Sequence, residues 1–238
     1  MSKPMSAEKY LSQLKRWGVA YRNYKSGWST HNRTADTGKT FTDVKGIVLH
    51  HTGSDKSNIQ LLWEGRSDLP GPLCQAGNDP NGLVWNVGWG YCNHAGKGDD
   101  DVLKRVIAED YVGVFMPNEA NTDGNARFYG MEVEYSGSHG MGKTQYHTMI
   151  RWCAAICEYH EWTAKSVIGH GEWQPGKWDP GYATGRIMDM NAVRNDIADL
   201  LKNGPGPVST KPEPRTFNAR VGDKIVLGGS VLKVMEVK

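Results

Sequence analysis

Apolar residues repeat at helical spacing in some stretches of the chain and bunch or alternate in others. Between Ser6 and Trp17 they fall at Ala7, Tyr10, Leu11, Leu14 and Trp17, one face of a 3.6-residue repeat, and Gly18 stands where such a helix stops. Residues 19–43 are polar and read as loop. Lys45 to His51 reads as a buried strand, because Ile47-Val48-Leu49 run directly into two histidines. The turn signal Asn78-Asp79-Pro80-Asn81-Gly82 introduces a strand over Gly82–Val87. Three acids, Asp99 to Asp101, precede Val102, Leu103, Val106 and Ile107, as at a helix N-terminus. Met131 to Tyr135 alternates and predicts a strand. Thr144 to Tyr159 predicts a helix whose apolar face carries Tyr146, Met149, Ile150, Cys153, Ala154 and Cys157. Ser166–Gly169 reads as a short strand ending at His170. Asp189 caps a last helix with Met190, Val193, Ile197, Leu200 and Leu201, stopped at Gly204.

Strands and helices therefore alternate along most of the chain. That predicts an α/β fold, with a central mixed sheet flanked by helices. The expected organisation is one domain over 1–204, a Pro/Gly linker over 205–214, and a short β-hairpin tail over 215–238. The tail is too short to fold alone, so it either covers a sheet edge or serves as a small targeting or oligomerisation element.

Composition narrows the possible functions. The 29 glycines in 238 residues, about 12%, exceed the usual ~7% and imply many loops. A net charge of +2 lacks the basic excess of a nucleic-acid binder. No apolar run reaches the length of a membrane span, so membrane insertion is not expected. The start, Met1-Ser2-Lys3-Pro4, leads into a charged amphipathic segment rather than a signal peptide, so synthesis in a cytoplasm is expected. The four cysteines form no CxxC pair and no dense framework, and Cys153 and Cys157 read as small core residues.

Three places carry candidate chemistry. His50-His51 ends a buried strand, and only one of the two can face a given side of a sheet. Glu132 and Glu134 share one face of a strand, so the pattern favours neither. His170 to Asp179 contains a histidine, Lys177 and an aspartate before Pro180-Gly181, a sequence that is also an ordinary turn signal. Two imidazoles and a carboxylate suit catalytic zinc, because three protein ligands leave a fourth position open. Each histidine could equally be a hydrogen-bonded structural residue.

Four segments occur in an order that resembles one family: Val48-Leu49-His50-His51-Thr52, Asn93-His94-Ala95-Gly96, Tyr129-Gly130-Met131-Glu132-Val133-Glu134, and Gly169-His170 followed by Pro175-Gly176-Lys177-Trp178-Asp179-Pro180-Gly181. The chain is similar, over about 18–201, to the type 2 N-acetylmuramoyl-L-alanine amidases and peptidoglycan recognition proteins. It most resembles the catalytic domains of bacteriophage endolysins that attack actinobacterial and other Gram-positive walls.

The resemblance implies one zinc ion held by His50, His170 and Asp179. It implies Glu132 as the catalytic carboxylate and Lys177 as the cation for the oxyanion. His94 maps to a position lining the substrate groove, and His51 and Trp173 are further candidates for substrate contact. The tyrosine that many relatives use has no counterpart here, since Cys74 and Gln75 stand nearest its place. The implied partner is bacterial peptidoglycan, and a monomer is expected. An endolysin would be made in the host cytoplasm and reach the wall through a separate pore. Two other readings fit the same motifs: a non-catalytic peptidoglycan-binding module, and a cytoplasmic amidase recycling soluble muropeptides.

Overall fold

The computed structural model describes residues 2–56, 58–113 and 116–206, and the backbone of 224–227 and 230–233. Six strands form the central sheet: β1 (Tyr21–Asn23), β2 (Gly46–His51), β3 (Ala76–Asn78), β4 (Val84–Asn86), β5 (Phe128–Val133) and β6 (Val167–Gly169). Their order is β1-β4-β3-β5-β2-β6. β3, β5, β2 and β6 run parallel, and β4 and β1 run the other way, joined to the rest by the antiparallel β3–β4 pair. The sheet is mixed, as the sequence predicts.

Period-two geometry sorts each central strand onto two faces. Ile47 and Leu49 of β2, Tyr129, Met131 and Val133 of β5, and Val167 of β6 belong to the larger apolar cluster. That cluster includes Met149, Trp152, Cys153, Ile156 and Cys157 of the helix Lys143–His160, and Val193 and Ile197 of the helix Met190–Asn203. Both cysteines are core residues, as expected. Val48, Phe128 and Ile168 lie on the other face, in a cluster with Ala95, Val102, Val106, Tyr111 and Trp173. Covering both faces suits parallel strands, which read as near-continuous apolar runs for that reason.

The predicted helices form with their caps. Ser6 accepts from the Lys9 amide ahead of Ala7–Arg16. Asp99 caps Asp100–Ile107, and Asp189 caps Met190–Asn203. β5 starts three residues before the alternation at Met131, because Phe128 and Gly130 face the second cluster and break the polar–apolar reading. The polar stretch 19–43 is not all loop. It holds β1 and the short helix Thr34–Thr37, elements too brief to show a period. β3, the helix Ile59–Glu64 and the hairpin of Gly181–Ala183 with Arg186–Ile187 are equally short and carry no repeat.

The chain divides into two units, Met1–Val208 and Ser209–Lys238. In the second, Lys224–Leu227 pairs antiparallel with Ser230–Lys233, so the predicted hairpin is present as backbone. The expectation that it covers a sheet edge, and the part of the 205–214 linker beyond residue 206, lie outside the described residues.

One buried ion pair ties the last helix to the strand end that bears His170. Arg194 donates to both oxygens of Glu172 at 2.9 Å and to the Val167 carbonyl at 3.1 Å. Glu172 also accepts the Gly169 amide at 3.0 Å. Removing one partner of a buried pair strands the other charge. Arg194→Met is expected to cost about 3–5 kcal/mol of unfolding free energy in urea titrations of the metal-free protein; a loss under about 1 kcal/mol would show that the pair is dispensable.

Candidate metal centre

The parallel β2–β5 register sets His50 directly opposite Glu132. On the other side of β2, Leu49 pairs with Gly169, so the chain leaves β6 with His170 next to His50. Both histidines are buried. From His170 a single helical turn runs to Trp173, and the following loop brings Asp179 back. The Gly171 amide donates to the Asp179 carbonyl at 2.8 Å and closes that loop.

Three side chains then converge. His50 Nδ1 is 3.0 Å from His170 Nδ1 and 3.1 Å from Asp179 Oδ2, and His170 Nδ1 is 3.0 Å from the same oxygen. Among the described residues this is the group of His, Cys, Asp and Glu side chains that comes together as metal ligands would. The far nitrogens are occupied: His50 Nε2 is 3.1 Å from His94 Nδ1, and His170 Nε2 is 3.0 Å from Gln174 Oε1. With those nitrogens carrying the protons, three lone-pair atoms face one another at about 3 Å, an arrangement that a cation between them relieves. A tetrahedral ion with bonds of about 2.0–2.1 Å spaces its ligand atoms about 3.3–3.4 Å apart, so the residues fit one zinc ion closely.

Burial sets the electrostatics. It presses the His50 pKa down to about 4, with the neighbouring His170 adding to the effect, so His50 is neutral as a ligand must be. Burial works to raise Asp179, but wherever an Nδ1 proton of His170 or His50 points at it, that hydrogen bond holds the carboxyl below its usual range; a metal ion would take the place of those protons. Glu132 is pushed well above the usual carboxylate range by burial and then by the charge of Asp179, while Lys177 works against the shift. Its Oε2 is buried and makes no hydrogen bond. Lys177 is exposed at the lip of the site, two residues before Asp179. The site thus unites four sequence candidates on one face, His50, Glu132, His170 and Asp179, with Lys177 at its edge.

The other candidates stand outside the converging ligands. Trp173, expected to touch substrate, is a fully buried core residue. Its ring packs edge-on against Phe128 with centroids 4.9 Å apart, and Gly98 and Gly124 lie flat against it. Apolar neighbours on both sides leave it no groove to line. His51 faces the opposite side of the sheet from His50. It accepts the Gly181 amide at 2.7 Å and packs on Trp178, which makes it a brace for the Asp179 loop. His94 is half-buried beside His50, its ring set between His50 Nε2 and the Phe128 carbonyl. Cys74 and Gln75, nearest the place of the absent tyrosine, are both buried. Gln75 accepts the Gly130 amide at 2.6 Å and donates to the Gly90 carbonyl at 2.8 Å, which leaves it no free group for chemistry.

Some supporting residues carry no sequence signal. Tyr135 donates its hydroxyl to the Gly181 carbonyl. Gly137, at φ 71°, lies against the His51 ring, where any Cβ would collide. Gln174 meets His170 only because the helical turn brings positions four apart together.

The family model described as N-acetylmuramoyl-L-alanine amidase matches residues 40–182, a span that includes every residue of this centre. The chain belongs to the N-acetylmuramoyl-L-alanine amidase family. It is therefore an amidase, a hydrolase of the peptidoglycan amide. No curated protein sequence matches it. Among solved structures, a selenomethionine derivative of AmpD is 16% identical, with a TM-score of 0.50, over 75% of this chain and 94% of that one. At that identity the likeness concerns the fold. The endolysin amidase LysCS from Clostridium intestinale URNW is 13% identical at a TM-score of 0.48, covering 74% of this chain and 94% of its own. The PlyG catalytic domain is 15% identical at 0.46, covering 82% and 98%.

The placement of Trp173 is open to direct test. In this amidase Trp173→Ala is expected to lose about 3–5 kcal/mol of stability by denaturant titration. The KM of the enzyme that remains folded at low temperature should stay within about twofold. A raised KM with unchanged stability would return Trp173 to the substrate groove.

Proposed function

We propose that this amidase is zinc-dependent, that it cuts the amide between the lactyl group of N-acetylmuramic acid and L-alanine in polymeric peptidoglycan, and that it serves a bacteriophage as its lytic enzyme. The convergence of His50, His170 and Asp179 within 3.1 Å, on the sheet face that also carries Glu132, is the observation behind the chemistry. The phage assignment is supported by the resemblance of the motif-bearing segments to endolysin catalytic domains. On this reading the enzyme is made in the host cytoplasm, reaches the wall through a separate pore, and acts as a monomer.

Zinc, when bound, would polarise the scissile carbonyl and lower the pKa of the attacking water to about 7. The remaining steps belong to the chain. His50, His170 and Asp179 supply two neutral imidazoles and one carboxylate. Glu132 takes the proton of the attacking water on its unpartnered oxygen and returns it to the leaving nitrogen of L-alanine. Its raised pKa suits both transfers, since it makes the carboxylate a stronger base in the first and keeps the proton in hand for the second. Lys177 offers its cation to the oxyanion as the carbonyl becomes tetrahedral.

Separate variants should separate these roles. Asp179→Ala is expected to lose both bound zinc and activity. Glu132→Gln should keep zinc, by metal analysis of the purified protein, and lose about 10²–10⁴ in kcat. Lys177→Ala should keep zinc and lose about 10²–10³ in kcat. A fully active Glu132→Gln enzyme would remove Glu132 from the mechanism.

The substrate is tested by end-group analysis of digested actinobacterial peptidoglycan. New N-terminal L-alanine without new reducing sugar ends, lost in chelator and restored by zinc, is the expected result. Cleavage of soluble muropeptides alone would point to the recycling reaction, and wall binding with no new ends would point to a recognition module.

A further inference from the structure

Outside the set already assigned a chemical role, His94 stands at one end of a hydrogen-bond line that ends on His50. Its Nε2 lies 3.0 Å from the Phe128 carbonyl, and its Nδ1 lies 3.1 Å from His50 Nε2. A carbonyl oxygen only accepts, so His94 Nε2 carries the proton. In a neutral ring Nδ1 is then the acceptor, and His50 must donate from Nε2. That leaves His50 Nδ1 with a lone pair, aimed at His170 and Asp179.

We propose that His94 is a positioning residue that fixes the tautomer of His50 and so presets the nitrogen that meets the metal. The direction of the line comes from the backbone, because β5 supplies the Phe128 carbonyl. The fold also prepares the place of the ring. Asn125 Oδ1 accepts the amides of His94, Ala95 and Gly96 at 3.0, 2.8 and 3.1 Å, which pins the loop. Gly130 of β5 lies flat against the His94 ring, and a Cβ there would come within 2.5 Å of Nδ1. The two ring planes stand at 88° to one another, an angle that a hydrogen bond along the ring-nitrogen lone pair permits. Orientation of a ligand histidine through its far nitrogen is a general device, and its loss weakens metal binding about 10–100-fold.

This inference rests on the zinc reading for its consequence but not for its geometry, so two measurements are needed. The first is the two-bond proton–nitrogen correlation spectrum of the histidines in the metal-free, full-length protein at neutral pH. His50 should appear as the Nε2–H tautomer in the wild type and as a mixture in His94→Phe. The second is the zinc Kd, read by competition with a chromogenic chelator. His94→Phe should bind zinc about 10–100-fold more weakly. His94→Gln can accept from His50 and donate to Phe128, and should stay within about threefold of wild type.

Three results would overturn the proposal: a wild-type His50 protonated on Nδ1, a His94→Phe protein with wild-type Kd and tautomer, or a His94→Gln protein as weak as His94→Phe. If His94→Phe does not fold, the wild-type spectrum and the His94→Gln protein decide alone. A wild type that binds no zinc refutes the metal reading, and the spectrum still decides whether His94 sets the tautomer.

Discussion

Parallel pairing of β2 with β5 is the constraint on which the centre depends. Residues opposite one another in parallel strands share a face, so His50 and Glu132 reach the same space because their Cα atoms are partners. A slip of one residue would turn His50 toward the helices and set His51 opposite Glu132 or Glu134 in its place. The apolar residues between the functional ones prevent that slip. Ile47 and Leu49 belong to the cluster under the two long helices, and Val48 belongs to the one opposite. Packing on both faces of a three-residue run therefore sets the register that the chemistry uses. The site lies beyond the carboxyl ends of the parallel strands, where open α/β sheets place their ligands.

The centre is also expensive. Burial opposes the charge of His50, Glu132 and Asp179 alike, and only at Asp179 do the two neighbouring imidazoles outweigh it. The surrounding structure holds these groups in place regardless. Arg194 and Glu172 fix the turn that begins at His170. His51 and Tyr135 fix the loop that ends at Asp179. Asn125 fixes the loop of His94. Each of these braces ends on a backbone amide or carbonyl, and so controls where the chain goes more than what its side chains do.

Much of the fold was legible because its long elements have strong periods. The helix Lys143–His160 shows its apolar face over eighteen residues, and β2 carries the unbroken apolar run Ile47-Val48-Leu49. β1 and β3 have three residues each, too few for a period, and β3 contains Gly77, whereas β4, equally short, was legible from the turn signal before it. In the site, the residues that resemblance singled out as ligands do converge. Resemblance could not sort the residues that support them. Trp173 looked like a stacking surface because it follows His170, yet one turn of helix carries it into the core. His51 looked like a partner of His50 because it is adjacent in sequence, yet adjacency in a strand means opposite faces. His94 and Gln174 act through hydrogen bonds across 44 and four positions, and no spacing rule encodes the first of these.

The central claim is that His50, His170 and Asp179 hold one zinc ion. X-ray absorption at the zinc edge, on protein loaded with one equivalent of the metal, tests it most directly. The account predicts a shell of nitrogen and oxygen atoms alone at about 2.0–2.2 Å, with the outer scattering of two imidazoles. A sulfur atom at about 2.3 Å, or a shell with fewer than two imidazoles, would place the metal elsewhere and contradict it.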